Sequence, residues 1–444
     1  MLLAGLAQGA DRGQNRTLRV WTDDVSDQEI QVLNLEGLAV ASTFQSLPLP
    51  PPLLQPEIAS MFPRRLFEIT ELSPNTIYRI RLGEEETTAR TLPDPESELN
   101  LVLGSCFWQD GDRGRLWRGA QKLLHPLDFP HLKILCGDQI YLDEPTFGFL
   151  GMGVSAKEGT RERYQRYWED DSYGNFLRLG CSVFTPDDHE VWNDYPFNPF
   201  WLSRTWTRSK REKHREYALA GLAAHQTLTN PAAQSWFSVD LGPVSLFVTD
   251  IRSQRTKQSL FGDGATGENQ RKALEAWGSS LTKPGFLVLS QPLFQDPESR
   301  QFGITTDHNI LYFKDDARFL WNLVEQAPHD IVTLAGDIHL SRSVSWASPQ
   351  GRHCHEIVSS PLSLLGSNYP DRPIEAPPEV YPDEQVRRAT THYATRNNSF
   401  AFLRITPGED GVLVCAESRQ LPSSIVAASM LEDRRACSYS FRIR

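Results

Sequence analysis

The sequence predicts an α/β fold: a layered α/β domain preceded by a small all-β domain. Three observations carry this reading. Through about residue 95 the apolar residues recur with period two and no helical pattern intervenes. From residue 100 short apolar strands alternate with helical spacings, the grammar of parallel units in a layered sheet. Near the carboxyl end, strand patterns follow one another without helices, as in an antiparallel sheet.

The elements follow in order. "TLRVWTDD" opens with alternation, and "RLFEITELSPNTIYRIRLGEE" reads as strand, Ser-Pro-Asn turn, strand. The proline-rich "LPLPPPLLQP" at 47–56 is a loop inside this unit, because strand-like sequence resumes after it. "TARTLPDPESELN" makes the boundary, which gives a β-sandwich of the immunoglobulin or fibronectin III kind over 1–96 and a second domain over 97–444. In the second, "LNLVLGSC" and "LKILCGD" are strands flanking a helix over 113–125. "RKALEAWGSSL" and "DARFLWNLVEQA" are helices leading into the strands "GFLVLS" and "DIVTLAGD". "SFAFLRIT", "GVLVCAES" and "CSYSFRIR" supply the antiparallel tail.

Composition narrows the function. The 444 residues carry a formal net charge of −11, which argues against nucleic acid as a partner but not against a small anionic substrate. No apolar run approaches the roughly 20 residues that cross a bilayer. "MLLAGLAQGADRGQ" lacks a basic n-region and an h-region, so the chain as written is expected in the cytoplasm; a start codon assigned too late would move that expectation to the periplasm or outside. The cysteines (106, 136, 181, 354, 415, 437) have no paired spacing and are expected as reduced thiols.

The functional signal lies in recurring punctuation. Apolar strands end in Ser105 and Cys106; in Asp138 and Tyr141; in Asp187, Asp188, His189 and Glu190; in Asp250 and Arg252; in Ser290 and Gln291; and in Asp337 and His339. In an open α/β sheet those ends converge on one crevice. Asp, His, Tyr and thiolate are ligands for cations, and so many carboxylates at one point require cations to neutralise them. Two metals sharing a carboxylate and holding a hydroxide would support in-line displacement at phosphorus. Arg252 is expected to grip the phosphate oxygens through its fork, and His189 to protonate the leaving alkoxide. The chemistry read from these residues is hydrolysis of a phosphate ester.

"GSCFWQDG", "LCGDQIYLDEP", "PDDHEVWNDYP", "DIRSQR", "LSQPLF" and "AGDIHLS" occur in an order that resembles the PhoD-like alkaline phosphatases of the calcineurin-like metallophosphoesterase superfamily, from about 100 to 405. The resemblance implies a four-layer α/β/β/α core, phosphomonoesterase and phosphodiesterase activity, and an iron–calcium site. It implies that Cys106, Asp138, Tyr141 and His339 hold Fe3+, that Asp138 bridges to Ca2+, and that Asp188 and Asp337 lie on the calcium side. Gln291 stands where many relatives carry a ligand histidine; its amide oxygen suits calcium better than zinc, and Zn2+ or Mn2+ are the alternative metals. Pro186 departs from the pattern, where many relatives have an aromatic, and 145–180 is expected to be peculiar to this chain or its subgroup.

Several residues carry a plainer expectation. Asp143 and Glu144 read as solvated turn residues, Asp187 as a partner of a ligand, and His308, His329, His355 and His392 as structural or surface histidines. The basic run at 203–217 reads as a solvated helix face, and 366–388 as an exposed loop. The alternative function is a catalytically silent relative that binds a phosphorylated ligand or a protein; the full set of ligand types weighs against it.

Overall fold

The computed structural model describes residues 1–7, 16–143, 155–197, 202, 205–295, 299–301, 304–364, 379–422 and 438–444. Glu144, Cys437, residues 145–154, 203–204 and 366–378 lie outside the described residues.

Two central sheets form the middle of the molecule. The first has six strands in the order Ser182–Thr185, Leu132–Cys136, Leu99–Gly104, Ser399–Gly408, Gly411–Gln420, Ser438–Ile443. Its first three strands are parallel and the remainder antiparallel, so the two strand grammars of the sequence meet in one sheet. The second has seven strands in the order Phe237–Asp240, Ser245–Val248, Gly285–Val288, Ile331–Ala335, His353–Val358, Ser341–Ala347, Thr390–Thr395.

Alternation along each strand decides the layers. Leu101, Leu103, Ile134 and Val183 of the first sheet share one apolar core with Leu246, Phe286, Val288, Val332 and Leu334 of the second. The intervening residues face outward. Val102 and Leu135 pack with residues of the helices Ala156–Trp168, Tyr173–Arg178 and Arg208–His225. Leu287 and Ile331 pack with the helices Ala265–Ser279 and Lys314–Gln326. The result is α/β/β/α, with both sheets covered on both faces. Each fully buried large apolar side chain in it contributes about 1.5–3 kcal/mol.

The first ninety residues form a four-stranded antiparallel sheet (Leu2–Leu6, Arg16–Thr22, Arg65–Leu72, Thr43–Leu47) and a three-stranded one (Gln31–Leu33, Ile77–Leu82, Glu85–Arg90). Ile77–Leu82 alternates strictly between buried and half-buried positions. The proline-rich stretch carries a 3-10 turn at Pro51–Leu54 and leads into a short helix at Pro56–Met61 inside this unit. Leu2, Val20, Ile69 and Ile80 join the same apolar core as the central sheets. The packing is close: a Cβ at Gly5 would lie 2.0 Å from the Thr229 carbonyl oxygen.

Two expectations change. The helix expected over 113–125 is an α-helix only over Arg115–Ala120, followed by a 3-10 turn, because Arg113 and Gly114 adopt left-handed backbone and start it late. Within 366–388, the described part keeps exposed residues (Glu379, Tyr381, Glu384, Gln385 and Arg388) but is not a plain loop. Glu379–Val380 pairs with Arg387–Arg388, and Arg387 is buried on a fork of bonds to Glu325 and Asp383. Among the described residues no helix is long and apolar enough to cross a membrane, and the described cysteines are free thiols.

Candidate metal centre

The carboxyl ends of strands from both sheets meet at one point. The glycines before Asp138 and Asp337 permit it. Gly137 has φ +86°, and a Cβ there would lie 2.4 Å from Asp187 Cβ. A Cβ on Gly336 would lie 2.4 Å from Ser105 Cβ on the opposite sheet. Bare backbone lets the turn after Leu132–Cys136 touch the turn after Ser182–Thr185, and lets the second sheet touch the first.

Beyond the strands the backbone is strained where the chemistry sits. Cys106, Asp138, Asp337 and His339 all adopt positive φ (57°, 53°, 65° and 51°). Non-glycine residues in this region cost about 1–3 kcal/mol each and persist where the surroundings dictate them. Here they turn side chains inward. Cys106, Asp138 and His339 offer ligand atoms within 4.8 Å of one another; so do Asp138, Asp188 and His189; so do Asp138, Asp187, Asp188 and Asp337. Asp138 belongs to all three groups. Cys106 Sγ lies 3.4 Å from Asp138 Oδ2. The Tyr141 ring lies 4.1 Å from that of His189, and the buried Tyr141 hydroxyl has no hydrogen-bond partner among the described residues.

The electrostatics are those of a site short of positive charge. Burial pushes the Asp138 carboxyl well above its usual range, and Cys106 and the other aspartates add to the shift. Burial likewise raises Asp187, against the pull of Arg252, and raises the Cys106 thiol and the Tyr141 phenol. Asp188 moves the other way: burial is more than offset by Arg252, His189, the Asp194 amide and Arg255. His189 is raised well above an ordinary histidine, because Asp143, Asp188 and Asp138 together outweigh its burial. Thiol, phenol, imidazole and carboxylates converging in this way, with a phenol left unpaired, match the donor set of a cation pair.

The remaining expected residues fall into place around this cluster. Arg252 reaches the cluster through Asp187. Its guanidinium is fully buried, its Nε donates to Asp187 Oδ1 at 2.6 Å and its Nη1 to the Tyr195 carbonyl at 3.2 Å. Gln291 also has committed ends: Oε1 accepts from Arg255 Nη2 at 2.7 Å, and Nε2 donates to Asp337 Oδ2 at 3.2 Å. It orients a candidate ligand. Asp187 is held by Arg252 and by the Ser290 hydroxyl at 2.9 Å. Asp250 is spent on its own turn, accepting from the amides of Arg252 and Ser253.

Asp143, expected in solvent, is buried. Its Oδ1 is 2.7 Å from His189 Nδ1, and its Oδ2 accepts the Asn193 amide at 2.7 Å. Its place five residues after Asp138, in the same motif, was the available signal. Glu190 binds the two turns together: its oxygens accept the amides of Asp138 (2.9 Å), Gln139 (2.7 Å) and Asp187 (2.8 Å), and the Gln226 side chain. His308 is paired through Nδ1 with Asp194 at 2.7 Å, and the Asp194 amide in turn donates to Asp188. Arg255, within "DIRSQR", was visible in the sequence but carried no role there. Ser360, at 3.1 Å from Cys106 Sγ, carried no signal at all.

Fold and site together define a layered α/β protein whose strand ends build a carboxylate-rich cluster with the donor atoms to hold cations. The PhoD-like phosphatase family model matches residues 128–413, more than half the chain, and the chain belongs to that family. Among solved structures, that of PhoD aligns with a TM-score of 0.68 and 16% identity over 99% of this chain and 88% of the other. The GAP50 anchor of the Plasmodium inner membrane complex aligns at a TM-score of 0.41 and 9% identity, over 78% of this chain and 89% of that one. No curated protein sequence matches.

Proposed function

We propose that the chain hydrolyses small phosphorylated substrates, phosphodiesters, phosphomonoesters or both, at a two-cation centre with Asp138 as the shared ligand. The observation that carries this reading is the membership of Asp138 in all three ligand groups. Cys106, Tyr141 and His339 with Asp138 would hold one cation, and the thiolate and phenolate among them favour Fe3+. Asp138, Asp188 and Asp337 would hold the other; all-oxygen donors favour Ca2+ over Zn2+, with Mn2+ the alternative. Bound there, the pair supplies neutralising charge and an activated water.

The chain's own residues do the rest. His189 binds Asp143 through Nδ1, which leaves Nε2 to hold a proton for the leaving oxygen, and the Asp143 carboxylate beside it favours the protonated ring. Arg252 acts through Asp187, which faces Asp138 and Asp188, and Gln291 with Arg255 acts through Asp337. In this reading residues 97–444 carry the chemistry and 1–96 form the amino-terminal β unit; the acidic surface disfavours nucleic acid. The test is turnover of a chromogenic diester and its monoester by the metal-loaded chain and by His189→Ala. The loss expected for a general acid is about 10²–10⁴-fold, and an unaffected variant contradicts the assignment.

A further inference from the structure

Ser360 is fully buried at the end of the strand His353–Val358 and stands between two candidate ligands of one cation. Its Oγ accepts the His339 amide N–H at 3.1 Å and lies 3.1 Å from Cys106 Sγ. A hydroxyl has one proton. With the amide occupying its acceptor side, that proton has the sulfur as its partner. Ser105, the other hydroxyl near the sulfur, lies farther away at 3.5 Å and donates to the Ser359 carbonyl at 3.0 Å instead. Once Cys106 is a metal-bound thiolate it can no longer donate toward Asp138, and it becomes an acceptor.

We infer that Ser360 tunes the Cys106 thiolate, donating a hydrogen bond that draws charge off the sulfur and sets the electronic state of the cation bound beside His339. The inference rests on the reading above that Cys106 binds Fe3+. Hydrogen bonds to a ligating sulfur lower the energy of its donor electrons and stabilise the reduced metal. The same contact also couples the two ligands: Ser360 holds His339 through its amide and Cys106 through its sulfur, so both stand in one geometry. The Ser360 amide donates to Ser341 Oγ at 3.0 Å and its carbonyl accepts from that hydroxyl at 3.1 Å; both contacts are made by the backbone and neither involves the Ser360 hydroxyl.

The test is the visible absorption of the iron-loaded full chain. A thiolate-to-iron charge-transfer band is identified as the one that Cys106→Ser removes. In Ser360→Ala, at equal iron content, the band is expected to move to longer wavelength and the iron to become harder to reduce. In Ser360→Cys, a weaker donor of similar size, both move the same way by less. In Ser341→Ala, which disturbs the neighbouring backbone and keeps the Ser360 hydroxyl, the band stays in place. If Ser360→Ala does not hold iron, Ser360→Cys decides. An unmoved band in the iron-holding Ser360 variants overturns the inference. A wild-type chain that binds iron without any band dependent on Cys106 overturns the thiolate reading, and the inference with it.

Discussion

Asp143 Oδ1 lies 2.7 Å from His189 Nδ1, and the pair is tied into the site by the His189 amide, 3.4 Å from Asp138 Oδ1. Asp143 therefore sets which nitrogen of His189 faces the reaction and favours the charged ring. Asp143→Asn removes the charge and leaves the shape. Because the acid form of His189 is the useful one, a lowered pKa moves the alkaline limb of the kcat profile to lower pH. Steady-state rates across pH check this; an unmoved limb contradicts it.

Arg252 and Asp187 form a fully buried ion pair at 2.6 Å. Breaking such a pair leaves an uncompensated charge and costs about 3–5 kcal/mol. Arg252→Met is expected to lose that much stability in denaturant unfolding. A variant of unchanged stability with a raised KM would instead place Arg252 on the phosphate.

Gly137→Ala puts a methyl 2.4 Å from Asp187 Cβ at φ +86°. The turn carrying Asp138 must then move away from the turn carrying Asp188. Metal content per chain is expected to fall along with turnover, while far-ultraviolet circular dichroism is retained. Full metal content in this variant contradicts the close-approach argument.

Lys133 is buried, and its Nζ donates to the carbonyls of Gly180 (2.8 Å), Leu179 and Leu177. Burial pulls its pKa down to about 7 from 10.5. The unfolded chain then binds the proton more tightly than the folded one, so the cost is complete below about pH 7 and disappears as pH rises toward 10.5. Wild type should gain on Lys133→Met by up to about 1.4 kcal/mol per pH unit within that window. Parallel stability curves for the two would contradict the shift.

The layers and the site's location were legible because each buried strand is a short apolar run that ends abruptly in Gly, Asp, Ser or Cys. Residue types at those ends were legible too. What escaped was partner choice, which tertiary structure decides. Arg252 and Gln291 lie where the motifs put them, but burial gives the arginine to Asp187 and the amide to Arg255 and Asp337. Asp143 looked like a solvent-facing turn acid because nothing local shows that His189, 46 residues on, closes over it. Ser360 meets Cys106 across 254 residues, with no periodicity or motif to announce it.

The central claim is that Asp138 is the ligand shared by two cations. The most direct measurement is metal content and turnover of Asp138→Asn beside wild type, after loading with iron and calcium. The account predicts that this one change abolishes turnover and strips both metals. A variant that keeps both ions and hydrolyses the diester or monoester at the wild-type rate would contradict it.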